Sequence, residues 1–172
     1  MTNHSSGPAH ESPRSSDLLR ERRSCIIANP ASGKGRGLKV ARALGEGLES
    51  RGWTCTHVET AAAGDAARAA EESARSGCSL VVAVGGDGTV QEVASGVVRA
   101  DGRTVVAHVP TGTTNATARA LGVPSDVDDA IASIEDGHAI ELDAGFLPDS
   151  GDFFLFMTTI GAPARMIRDA PR

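Results

Sequence analysis

The sequence predicts an α/β protein, with helices on both faces of a parallel sheet, followed by the start of an antiparallel β layer. Three observations carry this. Residues 80–84 (Leu-Val-Val-Ala-Val) are apolar throughout, the pattern of a strand covered on both faces. Strand-like runs alternate with segments whose apolar residues recur at helical spacing. Three strands run straight into polar, glycine-bearing loops at 29–37, 85–89 and 110–115.

Residues 1–23 are rich in Ser, Pro, His and Arg, lack periodicity and are expected to form a disordered tail. Leu18 and Leu19 offer the start of a short helix with no assigned role. The first strand, 24–29, enters the loop Asn29-Pro-Ala-Ser-Gly-Lys-Gly-Arg-Gly. The helix after it carries Leu38, Ala41, Leu44 and Leu48 on one face and stops at Gly52. Residues 53–58 form the second strand, closed by Glu59 and Thr60. Gly64 and Asp65 open an Ala-rich helix that ends at Gly77, with Asp65 as its N-cap. The central strand breaks at Gly85-Gly86-Asp87-Gly88-Thr89, and Val90, Val93, Ala94, Val97 and Val98 then mark a helix face.

Asp101-Gly102 turns the chain into a fourth strand, 103–109. The loop 110–115 leads to a short helix, 116–121, closed by Gly122 with Pro124 beyond. Ser125 is the expected cap of another helix, which carries Val127, Ala130, Ile131 and Ile134 on one face and stops at Gly137. Residues 138–146 alternate, 148–151 have turn chemistry, and 153–160 read as a second strand. This hairpin belongs to a different, antiparallel layer. Its apolar 153–160 edge is an expected site of homo-oligomer formation. The expected division is a tail (1–23), a nucleotide-binding α/β domain (24–137) and the opening hairpin of a truncated β-rich domain (138–172).

The loop at 85–89 suits phosphate. Its glycines let an anion approach the main chain, and the N–H groups of the following helix start have no partner within the helix. An anion there gains those bonds and the helix dipole, about 0.3–1 kcal/mol. Asp87 would repel a bare phosphate, so a Mg²⁺ ion or ordered water is expected between them. A simpler reading makes Thr89 and Glu92 a capping box that needs no ligand. The 29–37 loop lacks the P-loop and dinucleotide spacings, yet holds Asn29, Ser32, Lys34, Arg36 and Lys39 together. All three loops should meet at the carboxyl edge of the sheet, where open α/β folds bind ligands.

Composition excludes other classes. A net charge of −5 disfavours a general nucleic-acid binder, and 3% aromatics without Tyr disfavours a base-stacking platform. Cys25, Cys55 and Cys78 are odd in number and widely spaced, as free thiols in a reducing cytoplasm would be. His57 and His108 sit in strand-like runs without zinc-site spacing. No apolar stretch is long enough for a transmembrane segment, and the N-terminus lacks a signal peptide's apolar segment.

Together, Asn29-Pro-Ala-Ser-Gly33, Gly85-Gly-Asp-Gly-Thr89 with Glu92, and Gly112-Thr-Thr-Asn115 resemble the diacylglycerol kinase catalytic-domain family, which includes sphingosine, ceramide and bacterial lipid kinases. The resemblance covers roughly 24–161. It implies a Rossmann-like fold shared with NAD kinases and phosphofructokinases. It also implies ATP with Mg²⁺, and transfer of the γ-phosphate to a lipid hydroxyl at a membrane surface. The expected location is the cytoplasm, extending to the inner face of the membrane.

Carried over by position, Asn29, Pro30, Ala31, Ser32 and Gly33 form the first nucleotide loop, and Thr60 stands near the nucleotide. Gly85, Gly86, Asp87, Gly88, Thr89, Val90, Gln91 and Glu92 hold the phosphates, and Thr113 adds a contact. Asp87 is the catalytic candidate and orders the metal through water. The resemblance places the general base in a second domain that is largely missing here. Ala116 stands where many members carry Asp. A non-catalytic ATP or phosphate module and an NAD kinase are the alternatives. Asp87→Ala is expected to abolish metal-dependent ATP binding at little cost in stability, because the residue is read as lying in a solvent-facing turn.

Overall fold

The computed structural model describes residues 15–100, 102–148 and 152–155. Four strands form one parallel sheet in the order β2-β1-β3-β4: β1 (Arg23–Ala28), β2 (Thr54–Glu59), β3 (Leu80–Gly85) and β4 (Val105–Pro110). The register sets Ile26 between His57 and Val82, and Val84 opposite Val109. Every residue of the central β3 is buried, as its unbroken apolar run requires. The edge strand β2 is largely exposed and correspondingly polar.

Alternation along the strands divides the core in two. Ile26, Leu80, Val82, Val84 and Val109 pack under α2 (Gly37–Glu49) and α6 (Val127–Asp136), whose Leu44, Leu48, Ile131 and Ile134 face the sheet. Cys25, Ile27, Val81 and Ala83 pack under α3 (Asp65–Arg75) and α4 (Asp87–Ala100). Each fully buried Val, Leu or Ile contributes about 1.5–3 kcal/mol. The alanines of α3 bring it close to α4: a Cβ on Gly96 would lie 2.1 Å from the Ala67 carbonyl oxygen. The sheet thus has helices on both faces, the expected three-layer α/β architecture.

Order begins earlier than composition indicated. Residues 15–22 fall in the expected disordered tail, yet α1 (Ser15–Leu18) forms there and Leu19 is buried in the α2/α6 core. Arg22 donates to the Arg51 carbonyl (2.6 Å) and to both oxygens of Glu135, which also accepts from Trp53 Nε1. A Ser/Arg-rich composition does not reveal such partners, which lie 29 to 113 residues away.

Two caps differ from expectation. Asp126, not Ser125, caps α6, its Oδ1 accepting from the amides of Asp128 (2.9 Å) and Asp129 (3.4 Å). At α3 the N-cap position is Gly64, and Asp65 instead accepts from the Ala61 and Ala62 amides of the preceding loop.

The expected strand at 138–146 shrinks to β5 (Gly145–Leu147), which pairs antiparallel with β6 (Asp152–Phe154). Residues 139–144 have no regular structure, and Ile140 and Leu142 are exposed. Alternation alone does not make a strand without a ladder partner. The Phe146 and Phe153 rings lie 4.9 Å apart across the pair. Residues 156–160 of the second expected strand, with their edge for self-association, lie outside the described residues, as does most of the turn. Among the described residues, no helix is long and apolar enough to cross a membrane. Cys25, Cys55 and Cys78 are free.

Candidate phosphate-binding site

The loops that leave β1, β3 and β4 meet at the carboxyl edge of the sheet. In the first loop, Asn29 donates its amide to the Val84 carbonyl (3.0 Å), and its side-chain oxygen accepts from Ala31 N (2.9 Å). A short 3₁₀ turn, Ser32–Gly35, follows. Ser32 is buried and its hydroxyl accepts from Thr111 Oγ1 (2.8 Å), joining the first loop to the third. Gly33 holds φ +61 with its Cα against the third loop. A Cβ there would lie 2.4 Å from the Thr111 carbonyl oxygen. Lys34, at φ 57, and Gly35, at φ 85, continue this left-handed run. Lys34 and Arg36 are exposed beside it.

The glycine loop after β3 is equally tight. A Cβ on Gly112 would stand 2.7 Å from Gly86 Cα, so at this point the second and third loops meet backbone to backbone. Thr111 N donates to the Gly85 carbonyl (2.9 Å). The amides of Thr89 and Val90 turn back onto Gly86 O. Helix α4 therefore begins at Asp87, and of its first turn the amides of Asp87 and Gly88 are left to other acceptors by helix geometry.

The side chains of the Gly-Gly-Asp-Gly-Thr segment are engaged within the protein. Asp87 is not in a solvent-facing turn. It is half-buried, and its two oxygens accept from Ala116 N (3.0 Å) and Thr117 N (2.9 Å), holding the start of α5 (Ala116–Leu121). Burial pushes its pKa up. The Thr117 and Ala116 amides, the Thr117 hydroxyl and His108 together outweigh burial and hold it below the ordinary carboxylate value. Glu92 does not close a capping box with Thr89. Its Oε2 accepts from Gly64 N (3.0 Å) and Ala66 N (3.2 Å), at the start of α3. Val90 is 4% exposed and belongs to the core. Gln91 turns away from the loops to β6.

Among the candidates from the sequence, the fold gathers Asn29, Pro30, Ala31, Ser32, Gly33, Gly85, Gly86, Asp87, Gly88 and Thr89 at one edge, with Thr113 exposed on the third loop. Thr60 follows β2 at the same edge, its amide on the Ala28 carbonyl (3.0 Å). The side chains of Val90, Gln91 and Glu92 are directed elsewhere. Two residues escaped sequence reasoning. Thr111 is the buried hydroxyl that pins the first loop. His108 is 8% exposed, and its Nε2–H donates to the Gly85 carbonyl (3.1 Å) beneath the glycine turn. Burial pushes its pKa down, against the Gly85 bond and the nearby Asp87. A histidine inside an apolar strand run was the available signal. Two buried acceptors, His108 Nδ1 and Asn115 Oδ1, have no partner among the described residues.

This is an open α/β domain with three glycine-bearing loops packed together at the carboxyl ends of its strands, where such folds place ligands. The family model described as diacylglycerol kinase catalytic domain matches residues 23–147, and the chain belongs to that family. A diacylglycerol kinase of Bacillus subtilis (strain 168) is 37% identical over 152 residues, covering 87% of this chain and 49% of the relative. One from Staphylococcus epidermidis is 39% identical over 124 residues, covering 72% of this chain and 39% of the relative. The solved structure of a diacylglycerol kinase from Bacillus anthracis str. Sterne superposes with a TM-score of 0.65 at 29% identity, over 78% of this chain and 48% of that one. The chain spans about half the length, or less, of the relatives it matches.

Proposed function

We propose that the three loops cradle the phosphates of ATP, and that the γ-phosphate passes to the hydroxyl of diacylglycerol at a membrane surface. The observation that supports this is the backbone-to-backbone packing of Gly33 on Thr111 and Gly86 on Gly112. It leaves the loops lined by main chain, which an anion can approach closely. In this reading Asn29 and Ser32 fix the first loop rather than reach the ligand. The α4 N-terminus supplies its dipole and the amides of Asp87 and Gly88 to the phosphates, the Thr89 amide being bonded to Gly86 O. Lys34 and Arg36 stand beside the loops as cations, and Thr113 is free to add a hydroxyl.

Among the described residues, no group of three or more His, Cys, Asp or Glu could enclose a metal ion. The residues do fit a hydrated Mg²⁺ carried by the phosphates, since Mg²⁺ keeps several waters. Asp87 retains lone pairs beyond its two amide bonds, and Asn115 Oδ1 is an unpartnered acceptor. When bound, the ion would neutralise phosphate charge. Phosphoryl transfer also needs a group that takes the acceptor's proton. We place it in the half of the relatives that this chain does not match, with the β5–β6 hairpin as the start of that layer.

Calorimetry and thermal unfolding with Mg-ATP test the cradle. At a hundredfold excess over Kd, binding adds about 2.7 kcal/mol to stability. Folded protein that gives neither heat nor a thermal shift excludes it. Radiolabelled ATP with diacylglycerol mixed micelles, using this chain and a version extended to the length of its relatives, tests transfer. No labelled lipid from the longer version excludes diacylglycerol as acceptor.

A further inference from the structure

We propose that Gln91 is a latch that docks the β5–β6 hairpin onto α4, and not a nucleotide contact. Its Oε1 accepts from Leu155 N (2.9 Å), and its Nε2 donates to the Phe153 carbonyl. The N–H of one residue and the C=O of the residue two before it are the pair that a strand offers to a neighbouring strand. The Gln91 amide satisfies both as a peptide group would. A carboxamide carries a neutral donor and an acceptor on one planar group, whereas an ionised Glu only accepts and Lys only donates, so Glu, Lys or an apolar residue at 91 cannot replace both bonds.

Ser95, one turn further and buried, adds a hydroxyl within 3.5 Å of the Phe153 carbonyl. Asp87, Gln91 and Ser95 are spaced i, i+4 and i+8, which places them on one stripe of α4. The stripe that holds the start of α5 through Asp87 therefore also holds the hairpin. Gln91 sets the position of the antiparallel layer relative to the glycine loop, while its amide is fully occupied away from any phosphate.

Amide exchange of the 172-residue chain by NMR tests this, together with Mg-ATP titration. In Gln91→Met, which keeps the side-chain volume but removes both bonds, Leu155 N–H should exchange about 10–100-fold faster. Mg-ATP affinity should stay within about threefold of wild type, as loss of two contacts to a remote strand requires. Unchanged Leu155 exchange would overturn the latch. So would a tenfold loss of Mg-ATP affinity with Leu155 still protected, which would make Gln91 a ligand contact. If Gln91→Met does not fold, the wild type itself decides. Its Gln91 side-chain amide should be protected and coupled through the hydrogen bond to the Phe153 carbonyl, and a freely exchanging amide overturns the proposal. A wild type that binds no Mg-ATP counts against the phosphate cradle alone, because both exchange readouts are independent of nucleotide.

Discussion

Replacing Asp87 with Ala should destabilise the fold as well as disturb the glycine-bearing loops. The carboxylate accepts two backbone amides, from Ala116 (3.0 Å) and Thr117 (2.9 Å). Bonds to an ionised group are worth about 1.5–3 kcal/mol each when fully effective. Asp87 is only half-buried, so solvent screening reduces this. Loss of a carboxylate that caps a helix start costs about 0.5–2 kcal/mol. Together these give about 2 kcal/mol, or roughly 4–8 °C in Tm for a chain of this size.

The pH dependence follows from the lowered pKa of Asp87. A depressed folded-state pKa gives stability that is fully present above the unfolded value, about 3.9, and lost as pH falls through the folded value. The gap between wild type and Asp87→Ala should therefore be constant from pH 7 to about 5 and close below pH 4. Asp87→Asn keeps one acceptor oxygen and should lose about half as much. Urea unfolding across this range is the assay. An Asp87→Ala midpoint equal to wild type at pH 7 would refute the capping argument and restore a purely ligand-facing role.

Gly33→Ala should cost at least about 2 kcal/mol, since it combines a left-handed φ with a Cβ 2.4 Å from Thr111 O; a urea midpoint within error of wild type would contradict the packing of the first loop on the third. Glu92→Ala should cost about 1 kcal/mol by freeing the Gly64 and Ala66 amides, with most of it recovered in Glu92→Gln, and amide exchange at those two residues reports it directly. Because the folded pKa of His108 lies below its ordinary 6.5, the unfolded chain binds the proton first. Stability should fall as pH drops below about 6.5, and this slope should flatten in His108→Gln, measured by unfolding at a series of pH values.

Much of the architecture was legible in local pattern. The unbroken run at 80–84 marked a strand buried on both faces, and the spacing of Leu38, Ala41, Leu44 and Leu48 marked the face that α2 buries. Alternation at 138–146 misled, because a strand exists only where a partner completes its ladder: among the described residues His138 makes an isolated bridge and a ladder forms only at Gly145–Leu147. Leu19 misled in the opposite direction. An apolar residue in a Ser/Arg-rich segment becomes core only because α1 lies against α6.

The motif residues divide in the same way. Glycines at 33, 85, 86 and 112 could be read as close-approach positions because a missing Cβ is a local property, visible in the residue type itself. The partners of Asp87, Gln91 and Glu92 could not. Each side chain crosses between 26 and 64 residues of sequence to a different element: the start of α5, the edge of β6 and the start of α3. A capping-box spacing at Thr89 and Glu92 expresses a local preference worth about 1 kcal/mol. Packing α3 beside α4 brings the unpaired amides at Gly64 and Ala66 within reach of that carboxylate, and a long-range contact of equal strength displaces the local one.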